Sequence, residues 1–337
     1  MTPRATLALH IAELVGGSLL DITDPASGWP ALGTLVVDDN PLSVALFVGS
    51  MSGSQRGRDD VERRFQNPGQ RRPIVLHDNR HPLLLGLLEA DQRLAITRPV
   101  FIQADPRRRV DRITRFSVFA SVAVLERGAA TGWSEETSSS GEVIRCFLPS
   151  LLPVSVAAEL NDAVPPSQAM HAAINGSGLI DSLPPEEPAA AERARRAGTS
   201  LIRDARFSRQ VTQAYGGLCA MCGLDANLVQ GAHIYPASAP GSRDEPWNGL
   251  SLCPNHHLAF DRHLLAVDPD SRNIIFSPQL SAQIQHSSAM SAFVTGTFAQ
   301  LAEPSQALAR PRSQMFVRRY RYFLDSYDWM NGLRTSG

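Results

Sequence analysis

The chain has 337 residues, 43% of them apolar and 19% charged, with a formal net charge of −1. That balance excludes global disorder and a chain-wide polycationic coat, so any nucleic-acid affinity must come from locally clustered charge. The length suggests two domains with a linker and a tail.

No lysine occurs, so all 32 basic residues are arginine, whose planar fork suits phosphate and guanine. Four cysteines are too few for a disulfide scaffold, and three of them stand at metal-ligand spacing, which points to a reducing compartment. His10 and Glu13 interrupt the apolar amino-terminal stretch, so no signal peptide is expected. No apolar run approaches the roughly 18–20 residues of a membrane span, and a soluble, cytoplasmic protein is expected.

In chain order, Leu7, Ala8, Ile11, Leu14 and Val15 sit at helical spacing and predict a short opening helix. Strands are predicted over Thr34–Asp38, Ser43–Val48, Pro73–His77, Leu94–Gln103, Thr114–Leu125 and Glu142–Leu148, separated by Gly, Pro, Asp and Asn. Together they predict a β-rich sheet or barrel over residues 1–160. A Pro- and Ala-rich stretch at 161–200, with Pro165-Pro166 and Pro184-Pro185, reads as a linker with a short helix near Ala189–Arg196. Residues 201–280 are dense in polar and metal-ligand types. Over 281–337 helical material returns, with Phe316, Tyr320, Phe323 and Leu324 lined up in a final helix. The fold class expected is α+β.

Residues 54–115 hold 14 arginines against 8 acidic residues. Arg56, Arg58, Arg63, Arg64, Arg71 and Arg72 cluster in what reads as a loop-rich segment. Arg107, Arg108 and Arg109, followed by Arg112 and Arg115, sit in a turn between strands. Such a surface would suit duplex phosphates through counterion release; the competing reading is a solvated face with internal ion pairs, because Asp59, Asp60, Glu62, Asp105 and Asp111 are interleaved.

The informative stretch lies further on. Cys219 and Cys222 form one two-residue-spaced pair, and Cys253 with His256 forms another after an interval of 30 residues. Three thiolates and an imidazole satisfy a closed tetrahedral Zn²⁺ site, of the kind that can supply folding energy to a domain with a thin core. His233 and His257 are left over. With Gly231-Ala-His-Ile-Tyr-Pro236, Trp247-Asn-Gly-Leu250 and His256-His-Leu-Ala-Phe-Asp261 around them, residues Arg209–Pro278 resemble the HNH (ββα-metal) endonuclease family.

That resemblance implies His233 on a strand as the general base, Asn248 in the loop as holder of its ring, and His257 on a helix as ligand of a catalytic Mg²⁺ or Mn²⁺. The family's second metal ligand stands where this chain has Ala232, so either Asp261, one helical turn beyond His257, or Asn248 takes that part. Arg243 and Arg262 could hold phosphates but read by default as solvated, His263 reads as surface rather than ligand, and Cys146 as a core residue rather than a nucleophile. The domain order is similar to that of Mcr-type modification-dependent restriction enzymes, some of which use a β-rich SRA- or PUA-like domain to flip a modified base. Phe65, Phe116, Phe119 and Trp133 are then candidates for an aromatic wall, each with a core role as the competing reading.

The resemblance therefore implies a DNA endonuclease acting on modified or foreign double-stranded DNA, working as a homodimer with the arginine- and aromatic-rich final helix as a contact. Two other readings stay open: a zinc-dependent DNA-binding protein without catalysis, and a nuclease effector gated by a small-molecule or protein ligand of the amino-terminal domain.

Overall fold

A computed structural model describes residues 1–53, 61–69, 72–77, 79–163, 165–182, 186–225 and 228–330. The chain divides into two compact units, Met1–Ile202 and Arg203–Gly337.

The first unit opens with α1 (Pro3–Val15), started by the Thr2 hydroxyl, which accepts from the Ala5 amide, and by a proline at the first turn. It buries Ala5, Ala8, Ile11 and Val15, a helical stripe. The strands are β1 (Leu20–Asp24), β2 (Ala31–Val37), β3 (Asn40–Ser50), β4 (Ser52–Gly53), β5 (Glu62–Gln66), β6 (His81–Leu88), β7 (Val100–Ala104), β8 (Ser117–Ser121), β9 (Trp133–Thr137) and β10 (Val143–Phe147), with α2 (Val122–Thr131) between β8 and β9. Seven of them form one sheet in the order β1-β2-β3-β6-β7-β10-β9, and β4-β5-β8 form a second. The large sheet is open, with β1 and β9 as its edges; it is a sheet and no closed barrel.

Several differences from the sequence-based expectation have physical reasons. Strand β6 was not expected because its run His-Pro-Leu-Leu-Leu-Gly-Leu-Leu does not alternate: it lies at the centre, parallel to β3, with seven of its eight residues buried. A strand covered on both faces loses the period-two signature. The expected strand Thr114–Leu125 breaks at Ser121, whose hydroxyl caps α2 by accepting from the Val124 amide. Pro73–His77 makes only an isolated bridge, Ile74 to Val110. Of Leu94–Gln103, only the end is strand. Arg63 and Arg64 stand on β5 and not in a loop.

The expected linker is largely helical. It holds α4 (Ser167–Ser177), preceded by α3 (Leu152–Leu160), and the start of α5 (Glu187–Ala214), which runs 28 residues where a short helix was expected. Alanines at 190, 191 and 194 are buried and strongly helix-forming, so small residues that read as linker composition are in fact packing. Phe65, Phe116 and Trp133 are buried in the core, whereas Phe119 is exposed. Phe65 lies against Gly49 and Gly86, where an added Cβ would come within 2.9 and 2.5 Å of its ring. Cys146 is fully buried, and burial pushes its thiol well above the ordinary range, as suits a core residue.

The second unit starts with the last part of α5 and continues with β11 (Gln230–His233), β12 (Gly249–Leu252), α6 (Pro254–Asp261), β13 (Leu265–Val267), β14 (Ile274–Phe276), α7 (Pro278–Gln283), α8 (Ser288–Thr295) and α9 (Ser313–Tyr322). The antiparallel hairpin β11–β12 followed by α6 is a ββα unit. Phe207 and Val211 of α5, Leu250 and Leu252 of β12, Phe260 of α6 and Phe316 of α9 share one core with it. Among the described residues no helix is long and apolar enough to cross a membrane.

Candidate metal centre and catalytic cleft

The hairpin can lie flat on α5 because it shows glycines to it. A Cβ on Gly231 would stand 2.6 Å from the Ser208 Cα, and one on Gly249 would stand 2.4 Å from a Val211 methyl. Alternation along β11 then separates its last residues. Ala232 is buried in the core opposite Leu250, while His233 faces the other way, with 16% of its side chain exposed.

Below the hairpin, the donor atoms of Cys219, Cys222, Cys253 and His256 lie within 4.8 Å of one another. A tetrahedral ion bound at about 2.3 Å by sulfur has ligand-to-ligand edges of about 3.8 Å. Two separations fit that size, with Cys222 Sγ to Cys253 Sγ at 3.9 Å and Cys219 Sγ to His256 Nδ1 at 3.7 Å, while Cys253 Sγ to Nδ1 is shorter at 3.1 Å. The imidazole is held ready for it. Thr297 Oγ1 donates to the Phe293 carbonyl at 2.8 Å, so it accepts from His256 Nε2 at 2.9 Å and leaves Nδ1 unprotonated towards the thiols. Burial and the neighbouring thiols push Cys222 up to about 12.

Beside α6 a cavity of about 480 Å³ opens. His233 from the strand and His257 from the helix both line it, together with Asp204, Phe207, Asp261 and Arg319. The His233 ring stacks on Phe207, with centroids 3.6 Å apart and planes within 10°. Its Nε2 lies 2.9 Å from Asp244 Oδ1. A carboxylate there only accepts, so the proton belongs on Nε2 and Nδ1 keeps its lone pair. His257 Nε2 lies 3.3 Å from Asp261 Oδ2. Burial, with Asp244 nearby, pushes the Asp204 carboxyl above its usual range, while His233 pulls it the other way.

Asn248 does not perform the task the resemblance implied. It is completely buried: its Oδ1 accepts from the Tyr235 amide at 2.9 Å, and its Nδ2 donates to the carbonyls of Tyr235 and Arg243 at 3.0 and 3.1 Å. It therefore holds the loop that follows β11, leaving neither ring contact nor a free oxygen for a metal. The partner of the His233 ring is Asp244.

Asp204, Phe207 and Arg319 of the cleft, and Asp244 beside His233, are not singled out by the sequence. Asp244 lies in a loop without periodicity. Asp204 and Phe207 stand three apart on an arginine-rich helix that gave no hint of a site. Arg319 alone left a signal, being three residues after Phe316 and four before Phe323, a charge within an apolar stripe. Arg243 and Arg262 are exposed. His263, expected at the surface, is half-buried against Phe323 and Tyr327, and burial, then the charge of Arg319, lowers its pKa. On the final helix Phe316 is buried and the Tyr320 hydroxyl bonds the Val267 carbonyl within the unit, while Tyr322, Arg318 and Arg321 are exposed.

The amino-terminal arginines divide. Arg56, Arg58 and Arg71 lie outside the described residues. Arg109 is 8% exposed and makes two hydrogen bonds to Glu142, at 2.6 and 2.7 Å, so it is a structural ion pair and not a phosphate contact. Arg107 pairs with Glu159 at 2.7 Å, and Arg108 donates to the carbonyls of Ser140 and Gly141. Arg63 and Arg64 are half-buried, while Arg72, Arg112 and Arg115 are exposed.

Comparison with known proteins gives two family matches. Residues 219–268 match the HNH endonuclease family, and residues 42–155 match the family described as methylase-associated X1. Among solved structures, a modification-dependent TagI restriction endonuclease aligns with 83% of this chain and 81% of its own, at 12% identity and a TM-score of 0.31. None of the curated proteins matches.

Proposed function

We propose, from the premise that this chain is a nuclease carrying an HNH endonuclease domain, that it is a restriction enzyme that cuts double-stranded DNA. Its amino-terminal unit recognises modified or foreign DNA. The observation that carries the reading is the single cavity shared by His233 and His257. The match of residues 42–155 to a methylase-associated family supports a recognition unit that works alongside DNA modification.

In this mechanism His233 Nδ1 takes a proton from the attacking water, a task suited to imidazole at neutral pH. Asp244 keeps the opposite nitrogen protonated and, with Phe207, keeps the ring in place. His257 and Asp261 would hold Mg²⁺ or Mn²⁺. Such an ion supplies charge stabilisation to the phosphate and the leaving oxygen. Cys219, Cys222, Cys253 and His256 hold a structural Zn²⁺, for which the edge lengths and the Thr297-oriented imidazole speak. One site per chain and two strands to cut favour a homodimer. Reduced zinc-binding thiols favour the cytoplasm.

The test incubates the full chain with matched plasmids, unmodified or carrying different base or backbone modifications, with Mg²⁺, Mn²⁺ or Ni²⁺. Cleavage of a modified plasmid, abolished in His233→Ala while zinc and DNA retention persist, is the expected result. Folded, zinc-loaded protein that retards every plasmid and cuts none would make it a DNA-binding protein. Full activity in His233→Ala would remove that residue from the mechanism.

A further inference from the structure

We propose that Arg319 is a positioning residue of the nuclease site, setting the separation between the strand that carries His233 and the helix that carries His257 and Asp261; the proposal rests on the reading of those residues given above. Arg319 stands on α9, well past the matched segment 219–268, and is 2% exposed. Its guanidinium is spent on the two catalytic elements. Nη1 donates at 3.2 Å to the carbonyl of Ile234, the residue after His233. Nη2 donates at 2.6 Å to the carbonyl of Phe260, the residue before Asp261, and lies 3.9 Å from Asp261 Oδ1. Nε donates at 2.7 Å to the Tyr327 hydroxyl, and the group lies over the Phe260 ring, 3.8 Å from its centroid.

A buried cation is costly unless its donors are satisfied, so this arrangement has to return something that apolar packing would not. What a guanidinium supplies is a rigid fork: its donors leave in fixed directions, and two backbone carbonyls bound to one fork cannot drift apart. The carbonyls belong to residues adjoining His233 and Asp261. Asp261 is further divided between two neighbours, with Oδ1 towards Arg319 and Oδ2 towards His257. The cation thus leaves one carboxylate oxygen for the His257 side of the cleft. A lysine could keep the charge but, as a point donor on a flexible stem, could not span both carbonyls and Tyr327.

The experiment compares full-length wild type, Arg319→Lys and Tyr327→Phe for plasmid cleavage, DNA KM, half-saturating Mn²⁺, zinc content and urea midpoint. Arg319→Lys is expected to keep zinc and DNA KM, lose about 10–100-fold in kcat and need more Mn²⁺, as when a metal ligand loses its outer support. Tyr327→Phe, which removes only the acceptor of Nε, is expected to stay folded and lose about 3–10-fold in kcat. A merely structural role would lower the urea midpoint and leave kcat of the folded protein unchanged. Folded Arg319→Lys with kcat within about twofold of wild type overturns the proposal; should that variant fail to fold, the same result for Tyr327→Phe overturns it. Wild-type cleavage lost in His233→Ala tests the underlying reading separately, and an inactive wild type sinks both.

Discussion

Asp244 is the residue on which the orientation of the base depends, and substituting it gives a graded series. Its Oδ1 stands 2.9 Å from His233 Nε2, and its side chain is 40% exposed. Asp244→Asn retains a carbonyl oxygen that can accept but removes the charge. Hydrogen bonds to charged groups contribute about 1.5–3 kcal/mol and neutral ones about 0.5–1.5 kcal/mol. Solvent at this half-open position puts the loss at the low end, about 1 kcal/mol, or roughly fivefold in rate. Asp244→Ala removes the acceptor altogether. The ring then keeps only its stacking on Phe207, and the rate should fall about 10–100-fold, as for other lost orienting partners. His233→Ala should fall furthest, by at least the roughly 10²–10⁴-fold of a lost general base. Single-turnover cleavage of supercoiled plasmid at saturating metal measures all three. Wild-type speed in Asp244→Ala would refute the orienting role, and Asp244→Asn as inactive as His233→Ala would mean that the carboxylate serves the ion and not the imidazole.

The zinc cluster and the arginines give two further tests. Chelation, or Cys253→Ser, should remove the metal and unfold the second unit while the first retains its urea transition; an unchanged midpoint for the metal-free second unit would contradict a structural role. Arg109→Ala should destabilise the first unit by about 3–5 kcal/mol, because it strands the buried Glu142 charge. Arg112→Ala and Arg115→Ala should instead leave stability within about 0.5 kcal/mol and each flatten the salt dependence of DNA binding by about 0.9 in log–log slope, measured by titration across salt concentrations. Identical slopes in those variants and wild type would place the duplex elsewhere.

What could be read from the sequence follows from how local each signal is. The Cys219–Cys222 and Cys253–His256 pairs and the residues around His233 and His257 have spacings that survive folding unchanged, and they stand together in space as they stand in the chain. Asn248 shows the limit: its place in the motif was legible, but its bonds to Tyr235 and Arg243 could not be seen without the loop that closes on it. Arg109 shows another, since its partner Glu142 is distant in sequence and turns an apparent phosphate contact into an internal ion pair. Strand β6 was hidden for a different reason, because burial on both sides erases alternation. The helices at 161–200 were hidden by alanine, which serves linkers and tight packing equally well.

The bare face of the β11–β12 hairpin has a practical consequence. A fragment beginning at Cys219 would retain all four ligands of the metal cluster and both cleft histidines. It would nevertheless lose Phe207 and Val211, so Gly231 and Gly249 would meet water and the His233 imidazole would keep its bond to Asp244 but lose the ring it stacks on. The smallest excisable nuclease therefore begins upstream of Asp204.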